Sequence, residues 1–309
     1  MSLDTSAMVS LAEKRLVIFG CGYVGSALAQ AALAAGAHVE ALTRNPERAT
    51  VLRDLGIAQI AIADLASSSW HGEIRPGPDF VVNCVSSGSA NEMGYRHSYV
   101  DGMRSILAWA SAGERPAGTI VYTSSTSVYP QGGGATLDES AVAEGATPNG
   151  RIIRESETIL ELAPPAACAR HFILRLAGIY GPGRHHLLDQ LRAGASVLPG
   201  RGDHHLNLAH RDDIVRAILA CLSAPPSISS RIYHVADDAP ARRGAVVAWL
   251  AARLGRPAPA FDGSTGSRRG GLPMPDRIIS AARIRRELGW RPRYPDFRAG
   301  FGEILQNNT

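Results

Sequence analysis

The feature that most constrains the fold is a glycine motif between an apolar run and an alanine-rich segment. The apolar run is Arg15–Phe19, and the alanine-rich segment, Val24–Ala35, is a predicted helix. Gly20, Gly22 and Gly25 stand between and within them with the spacing G-x-G-x-x-G. After a strand and before a helix, this spacing predicts a dinucleotide-binding turn. Gly20 would permit the tight turn, Gly22 would let the backbone approach a pyrophosphate, and Gly25 would let helix and strand pack closely.

Strand and helix signals keep alternating as far as residue 178. The further predicted strands are His38–Thr43, Ile57–Ala63, Phe80–Val85, Thr119–Thr123 and His171–Leu176. The helices predicted between them start at Pro46 behind the cap Asn45, cover roughly Asn91–Ser111, and cover Arg151–Leu162. This order predicts an α/β fold, a doubly wound parallel sheet with right-handed crossovers.

Beyond residue 178 the pattern changes to glycine- and proline-containing turns with shorter elements. Asp213–Leu222 and Val246–Leu254 are predicted helices, and Arg231–Val235 is a predicted strand. We therefore expect two units. A dinucleotide-binding domain would cover residues 15–178, and a smaller C-terminal substrate lobe would cover residues 179–309 above the strand ends.

The end of the second predicted strand indicates which dinucleotide binds. Enzymes that use NAD place Asp or Glu there to bind the ribose 2′-hydroxyl, whereas this chain has Thr43, Arg44 and Asn45. Arg44 can instead bind a 2′-phosphate, so the sequence favours NADP over NAD unless Arg44 only faces water. Further cofactor contacts are predicted at the helix start and at the ends of strands three and four, namely Tyr23, Val24, Asp64, Leu65, Cys84, Val85 and Ser86.

Composition excludes several kinds of chemistry and partner. The chain has 31 Arg but a single lysine, Lys14, which rules out a Walker phosphate loop and a Schiff-base lysine. Residues 240–309 carry 13 Arg against five acidic residues. This basic tail could bind an anion or simply be a solvated surface, and it lacks any zinc-finger or RNA-binding aromatic pattern, which disfavours nucleic acid. The chain has no apolar run long enough for a membrane span and no signal-like segment, so no membrane span is expected. Its four cysteines show no paired spacing, so a cytoplasmic protein is expected.

Four ordered motifs give the chain a family resemblance over roughly residues 15–300. Besides the glycine motif they are residues 123–129 (TSSTSVY), 175–184 (RLAGIYGPGR), 207–213 (NLAHRDD) and 288–292 (LGWRP). Together they resemble the extended short-chain dehydrogenase/reductase family, the NAD(P)-dependent sugar epimerases and dehydratases, which have a Rossmann fold. The resemblance implies a small-molecule substrate, in particular a nucleotide-linked sugar, and leaves a homodimer open.

The resemblance also implies a catalytic set of Ser or Thr, Tyr and Lys. Its Ser maps onto Ser125. The Tyr-x-x-x-Lys pair falls on Asn149 and Ile153, so the pair is missing and the chain resembles an atypical branch of the family. Tyr129 is predicted as the substitute closest to Ser125 in sequence. Tyr95, Tyr99 and Arg154 are further candidates, and each could equally have a structural role.

Substrate contacts are predicted in the C-terminal lobe. The candidates are Arg184, His185, Asn207 and His210. Five of the ten histidines lie between residues 185 and 210, where they could bind an anionic or hydroxylated substrate, replace the missing Tyr as acid or base, or be surface residues. Their spacing matches no common metal-ligand pattern, so no metal site is predicted.

Two hypotheses for the function follow. The first is an NADP-binding oxidoreductase or epimerase/dehydratase-like enzyme with non-standard catalytic residues. The second is a non-catalytic NADP-binding regulatory or scaffold protein, which the missing Tyr and Lys favour. A nucleic-acid-binding protein that uses the basic tail is a weaker third.

Overall fold

The structure is a computed structural model that describes residues 11–264 and 275–307. The strands of its central sheet are β1 (Arg15–Phe19), β2 (His38–Thr43), β3 (Gln59–Ile62), β4 (Phe80–Asn83), β5 (Ala117–Ser125), β7 (Cys168–Leu176) and β12 (Arg231–Val235). The short strands are β6 (Ala135–Leu137), β8 (Gly178–Tyr180), β9 (Val197–Leu198), β10 (His205–Leu206), β11 (Leu208–His210), β13 (Ala241–Arg242), β14 (Ala260–Phe261) and β15 (Arg277–Ile279).

The helices alternate with these strands. They are α1 (Tyr23–Ala34), α2 (Pro46–Asp54), α3 (Glu92–Tyr95), α4 (Gly102–Ser111), α5 (Pro148–Glu161), α6 (His186–Arg192), α7 (Arg211–Leu222), α8 (Arg243–Arg253), α9 (Ala282–Leu288) and α10 (Phe297–Asn307). A π-helical segment, Arg96–Asp101, joins α3 to α4, so the predicted helix Asn91–Ser111 contains a π-bulge. Such bulges are frequent at functional sites.

The central sheet is entirely parallel and has the order β12-β7-β5-β4-β1-β2-β3. The first strand, β1, lies inside the sheet, and later strands are added on both sides of it, because β2 and β4 flank β1. Phe19, the last residue of β1, is paired with Leu42 of β2 and Asn83 of β4. The carboxyl ends of these strands therefore meet at one edge, where a doubly wound sheet binds its ligand. The predicted fold class is confirmed.

Each face of the sheet is covered by its own apolar core. Val82 faces the core that includes Leu28 of α1 and Ile218 of α7. Its neighbour Val81 faces the opposite core, which includes Ile106 of α4. Consecutive side chains of a strand point to opposite faces, so a strand covered on both sides has apolar residues in succession, as Phe80, Val81 and Val82 of β4 are.

The predicted division at residue 178 does not describe how the sheet is built. Strand β12 lies beyond that residue, yet it pairs in parallel with β7 and forms one edge of the sheet. Helix α7 also returns to the sheet, since its apolar face packs into the same core as α1. The lobe itself has a separate core, which includes Leu188, Leu250 and Phe301. The lobe and the sheet are thus interleaved along the chain.

No helix in the described part of the chain combines the length and the apolar character needed to cross a membrane.

Candidate active site

The glycine turn has the geometry that its spacing predicts. Gly20 has a φ of +85°, and a Cβ there would lie 2.6 Å from the amide nitrogen of Val85. A Cβ on Gly25 would lie 2.4 Å from the carbonyl oxygen of Gly20. At Gly22 a Cβ would meet nothing within 4 Å, and no side chain caps the helix that starts there. The turn therefore leaves open space beside the uncapped N-terminus of α1, where phosphates can bind.

Two adjoining cavities open along this edge of the sheet. The smaller has a volume of about 240 Å³, and the larger, here called the cleft, has about 860 Å³. Both have Gly22 and Cys84 in their linings, so they are contiguous. All but one of the predicted cofactor residues line one or both cavities, namely Gly20, Gly22, Tyr23, Val24, Arg44, Asp64, Leu65, Cys84, Val85 and Ser86. The exception, Gly25, lies behind the turn.

The smaller cavity is lined by guanidinium groups and by a carboxylate, and either kind of group could recognise a ribose. Arg44 and Arg48 line it together with Asp64. The Asp64 carboxylate lies 3.8 Å from Arg44 Nη1 and 2.9 Å from His97 Nε2. Burial alone would raise the pKa of Asp64, but hydrogen bonds from the Ala66 amide and from His97 outweigh burial and lower it. The carboxylate therefore stays ionised and holds Arg44 at the cavity.

The acidic residue of β2 is not available to a ribose. Glu40 accepts hydrogen bonds from Arg15 Nε at 2.5 Å and from Arg15 Nη2 at 2.9 Å. Arg48 was not predicted from the sequence, although one signal was present. It lies four residues after Arg44, and its amide donates to the capping side chain of Asn45, which fixes the first turn of α2 beside the cavity.

Hydroxyl groups at the end of β5 form the floor of the cleft. Ser125 Oγ accepts a hydrogen bond from the Ser127 amide at 3.1 Å. Within the described residues its own O–H has no acceptor, so it can donate to a ligand. Ser124 Oγ instead donates to Glu157 Oε1 at 2.6 Å, so it can only accept. The floor thus offers a donor beside an acceptor, a combination that fits a hydroxyl or carbonyl group.

The two positions that the family pattern assigns to Tyr and Lys both line the cleft. Helix α5 begins at Pro148, and its cap Thr147 accepts a hydrogen bond from Gly150 N at 3.0 Å. Asn149 and Ile153 then lie one helical turn apart and face the cleft. An amide and an aliphatic side chain therefore occupy the place where that pattern has an acid/base pair.

Burial disfavours ionisation of one tyrosine hydroxyl and one thiol in the cleft. Tyr95 and Tyr99 line it with their ring centroids 5.3 Å apart. Burial, followed by the neighbouring Tyr95, raises the pKa of Tyr99 to about 12. Burial likewise raises the pKa of Cys84 to about 12. Among the described residues that line the cleft, only Glu92 and Arg184 carry charge. The cleft can position a substrate, but it lacks a strong general base.

The predicted catalytic role of Tyr129 is not supported. Its side chain is fully buried and is absent from the lining of the cleft. The hydroxyl accepts from Arg175 Nη1 at 2.6 Å and lies 2.6 Å from His234 Nε2. Burial lowers the pKa of His234 to about 4, so its ring is neutral. Because His234 Nδ1 lies 2.9 Å from the carbonyl oxygen of Ser280, Nε2 is left to accept from Tyr129. Tyr129 thus connects β7, through Arg175, with β12, through His234, inside the protein.

A buried ion pair behind the floor was also missed by sequence analysis. Arg175 donates to Glu157 with Nε at 2.9 Å and with Nη2 at 2.6 Å, and the same carboxylate accepts from Ser124. Arg154, a candidate substitute for the missing lysine, donates to Glu161 at 2.7 Å and to Glu157 at 3.3 Å instead of lining the cleft. These contacts depend on residues far apart in sequence.

Of the four predicted substrate contacts, only Arg184 lines the cleft. His185 is 9% exposed, and its Nδ1 lies 2.7 Å from the Asp189 carboxylate. His210 is buried, and its Nδ1 accepts from the Asp212 amide at 3.3 Å as the cap of α7. Each histidine thus has its Nδ1 engaged at a helix terminus, and neither lines the cleft.

Asn207, the fourth predicted contact, connects two segments of the lobe. Its Nδ2 donates to the Arg277 carbonyl at 2.9 Å, and its Oδ1 accepts from the Ile279 amide at 2.8 Å. The side chain thus holds β15 in place and does not line the cleft. In the described residues, no group of three or more His, Cys, Asp or Glu side chains could hold a metal ion.

Comparisons with known proteins agree with this geometry. The sequence model of the NAD dependent epimerase/dehydratase family matches residues 16–236. Protein YeeZ of Escherichia coli K12 is 30% identical over 289 residues, covering 92% of this chain and 97% of YeeZ.

Two solved structures have the same fold. A protein from Methylobacillus flagellatus described as of the NAD-dependent epimerase/dehydratase type is 28% identical, with a TM-score of 0.73 over 96% of this chain and 99% of that one. DesIV, a dTDP-glucose 4,6-dehydratase from Streptomyces venezuelae with NAD bound, is 21% identical, with a TM-score of 0.78 over 94% of this chain and 96% of that one.

Proposed function

The chain belongs to the NAD dependent epimerase/dehydratase family, and from that membership we propose that it is an NADP-dependent oxidoreductase or epimerase/dehydratase-like enzyme with a degenerate catalytic set. One observation carries the proposal. Gly22 of the phosphate-binding turn and Ser125 of the hydroxyl floor line the same cleft. A dinucleotide laid along the turn would bring its nicotinamide toward that floor, as ligands of doubly wound sheets lie across the strand ends.

The choice of NADP rests on the charges of the smaller cavity. Arg44 and Arg48 both line it, and Glu40, the acidic residue of β2, is already bound to Arg15. Two guanidinium groups suit a ribose 2′-phosphate, whereas the 2′-hydroxyl of NAD carries no charge for them to bind. DesIV has NAD bound, so the proposed preference for NADP rests on this chain's own residues alone.

Arg44→Ala tests this preference. We expect it to weaken NADPH binding by about 10- to 100-fold and to leave NADH binding nearly unchanged, because a charge-assisted bidentate contact would be lost. Arg53→Ala is the matched control, since Arg53 is an exposed arginine of helix α2, which follows Arg44. Equal losses for NADPH and NADH in the Arg44 variant would refute the 2′-phosphate contact.

The floor of the cleft supports a role in orienting a hydroxyl or carbonyl group. Ser125 would donate to the substrate oxygen, while Ser124, held by Glu157, would accept from a neighbouring hydroxyl. The bound dinucleotide would supply hydride chemistry. Because Asn149 and Ile153 replace the acid/base pair, proton transfer would depend on solvent or on the substrate itself.

A nucleotide-linked sugar is the substrate class we propose to test first. DesIV is named for such a substrate, and the cleft contains many hydroxyl groups together with an aliphatic wall. Nucleotide sugars and simple carbonyl compounds would be offered with NADP or NADPH, and turnover would be followed by NADPH absorbance. Ser125→Ala should lower kcat by about 100-fold if Ser125 contacts the reacting oxygen. Turnover that survives this change would remove Ser125 from the catalytic set.

A non-catalytic NADP-binding regulatory or scaffold role is the second candidate. The observation that favours it is the pair Asn149 and Ile153 at the catalytic positions. This role predicts tight NADPH binding without turnover of any member of the panel. Turnover that depends on Ser125 would reject it.

A further inference from the structure

A turn of the C-terminal lobe lies directly on the phosphate-binding end of α1. Gly181 and Arg184 close this turn through two backbone hydrogen bonds, of 3.1 and 3.0 Å. Tyr23, the first residue of α1, donates from its hydroxyl to the carbonyl oxygen of Pro182 at 3.0 Å. A Cβ on Gly181 would lie 2.7 Å from that same hydroxyl, so a side chain there would push the Tyr23 hydroxyl away. The lobe therefore contacts the glycine turn at its dinucleotide-facing end.

Two guanidinium groups lie over the Tyr23 ring, and they differ in their availability. Arg184 is 5.6 Å and Arg211 is 5.3 Å from the ring centroid. Arg211 Nε donates to the Asp212 carboxylate at 2.8 Å, so its charge is already balanced. Arg184 has no carboxylate within 4 Å among the described residues, and unlike Arg211 it lines the cleft. Arg184 is thus the cation that a ligand in the cleft can reach.

The pyrophosphate of a dinucleotide carries two negative charges, and the glycine turn offers it backbone N–H groups only. Arg44 and Arg48 lie in the smaller cavity, at the adenosine end. Arg184 shares the cleft lining with Gly22 and Tyr23, beside the turn itself. In the cleft itself, a countercharge for the pyrophosphate is therefore supplied by the other lobe.

We propose that Arg184 binds the pyrophosphate of the cofactor and is not a substrate contact. The inference rests on the proposed function, because it requires the dinucleotide to lie along the glycine turn. Tyr23 positions the guanidinium through its ring, and the turn Gly181–Arg184 carries it to the cleft. The cofactor is then held from both sides, by α1 of the sheet domain and by the lobe. Binding of the dinucleotide consequently fixes the lobe over the cleft.

Three variants and four ligands, NADPH, NADH, adenosine 2′-monophosphate and UDP, test this role by NADPH fluorescence titration and displacement. Arg184→Gln should weaken NADPH and NADH equally, by about tenfold, and the loss should shrink at high salt, since a charge-assisted contact is removed. Adenosine 2′-monophosphate has no pyrophosphate, so its affinity should not change. Arg211→Gln is the matched control, because it removes the other guanidinium from the Tyr23 ring, and it should stay within about twofold of the wild type. Arg184→Lys keeps the charge and should fall between wild type and Arg184→Gln.

Other outcomes would overturn the proposal. If Arg184→Gln binds NADPH as the wild type does while UDP binding falls, Arg184 belongs to the substrate site. If Arg211→Gln and Arg184→Gln lose affinity equally, the effect comes from Tyr23 packing and not from a phosphate contact. Failure of the wild type to bind either NADPH or NADH would instead refute the proposed function itself, so the two failures are distinguishable.

Discussion

The turn after β1 and the floor at the end of β5 lie at the same edge of one sheet, yet they differ in what specifies them. The turn is specified by backbone, because Gly20 has a positive φ and Gly25 lies against the Gly20 carbonyl. The chemistry available at the floor depends instead on side chains of α5. Asn149 and Ile153 are ordinary residues of that helix, and they do not determine its backbone. Exchange of two helical side chains does not disturb the fold, whereas a change in the turn does. We therefore expect that mutations can change cofactor binding and turnover separately.

The largest expected effect comes from rebuilding the missing pair. In Asn149→Tyr with Ile153→Lys, both new side chains would face the cleft, one helical turn apart. A positioned general acid contributes about 100- to 10,000-fold, so reduction of carbonyl compounds should rise by a factor in this range. The measurement is kcat with NADPH, with each single variant as control. A double variant that binds NADPH normally but gains no activity would show that the floor differs in more than these two residues.

The next largest effect should come from the ion pair behind the floor. Glu157→Gln leaves the buried Arg175 guanidinium without its counter-charge, which should cost about 3–5 kcal/mol of unfolding free energy. Glu155→Gln, on the same helix, removes the exposed partner of Arg96 and should cost at most about 1 kcal/mol. Chemical denaturation of both variants gives the comparison. Similar costs would mean that the floor does not depend on its buried support.

A smaller loss of stability is expected at the glycine turn, together with loss of cofactor binding. Gly20→Ala combines a positive φ with a Cβ 2.6 Å from Val85 N, at a cost of about 2–4 kcal/mol. Gly56→Ala is the control, since Gly56 has a φ of +95° but nothing within 4 Å of a Cβ, and it should cost about 1–2 kcal/mol. NADPH binding should disappear only in the Gly20 variant. Its persistence there would contradict the backbone account of the turn.

The last expected effect is a pH dependence that arises from Asp237, which lies outside both regions at the junction of sheet and lobe. Burial, then Asp238 and Asp296, raises the pKa of Asp237 from 3.8 to about 8. The folded protein therefore holds a proton that the unfolded chain releases, so stability should fall as pH rises from about 4 to about 8. The slope is at most about 1.4 kcal/mol per pH unit. Melting temperatures of wild type and Asp237→Asn across this range should converge at low pH and diverge above it. Parallel curves would show that Asp237 is already ionised.

The comparison also explains how much of the site could be predicted from sequence. Gly20, Arg44 and Ser125 were placed correctly at the edge of the sheet because local strand–turn–helix order fixes their positions. The family resemblance likewise pointed to Asn149 and Ile153, and both line the cleft. These predictions needed only short segments of the chain.

Sequence analysis could not place residues whose partners lie far away along the chain. Tyr129 meets His234, which lies 105 residues later, and this contact buries it inside the protein. Asn207 binds the backbone of β15, about 70 residues away. The strand β12 returns to the sheet from beyond the expected domain boundary. Neither residue type nor periodicity reveals such pairings. In the sequence, a polar residue with a structural role therefore looks the same as one with a chemical role.

The central claim is that the cofactor site is intact, and selective for NADP, in a chain that has lost the catalytic pair. The most direct test is the ratio of the dissociation constants for NADH and NADPH, measured by fluorescence titration of the wild-type protein. The account predicts that NADPH binds at least about tenfold more tightly than NADH, through the two arginines of the smaller cavity. Absence of binding by both, or NADH binding as tightly as NADPH, would contradict it.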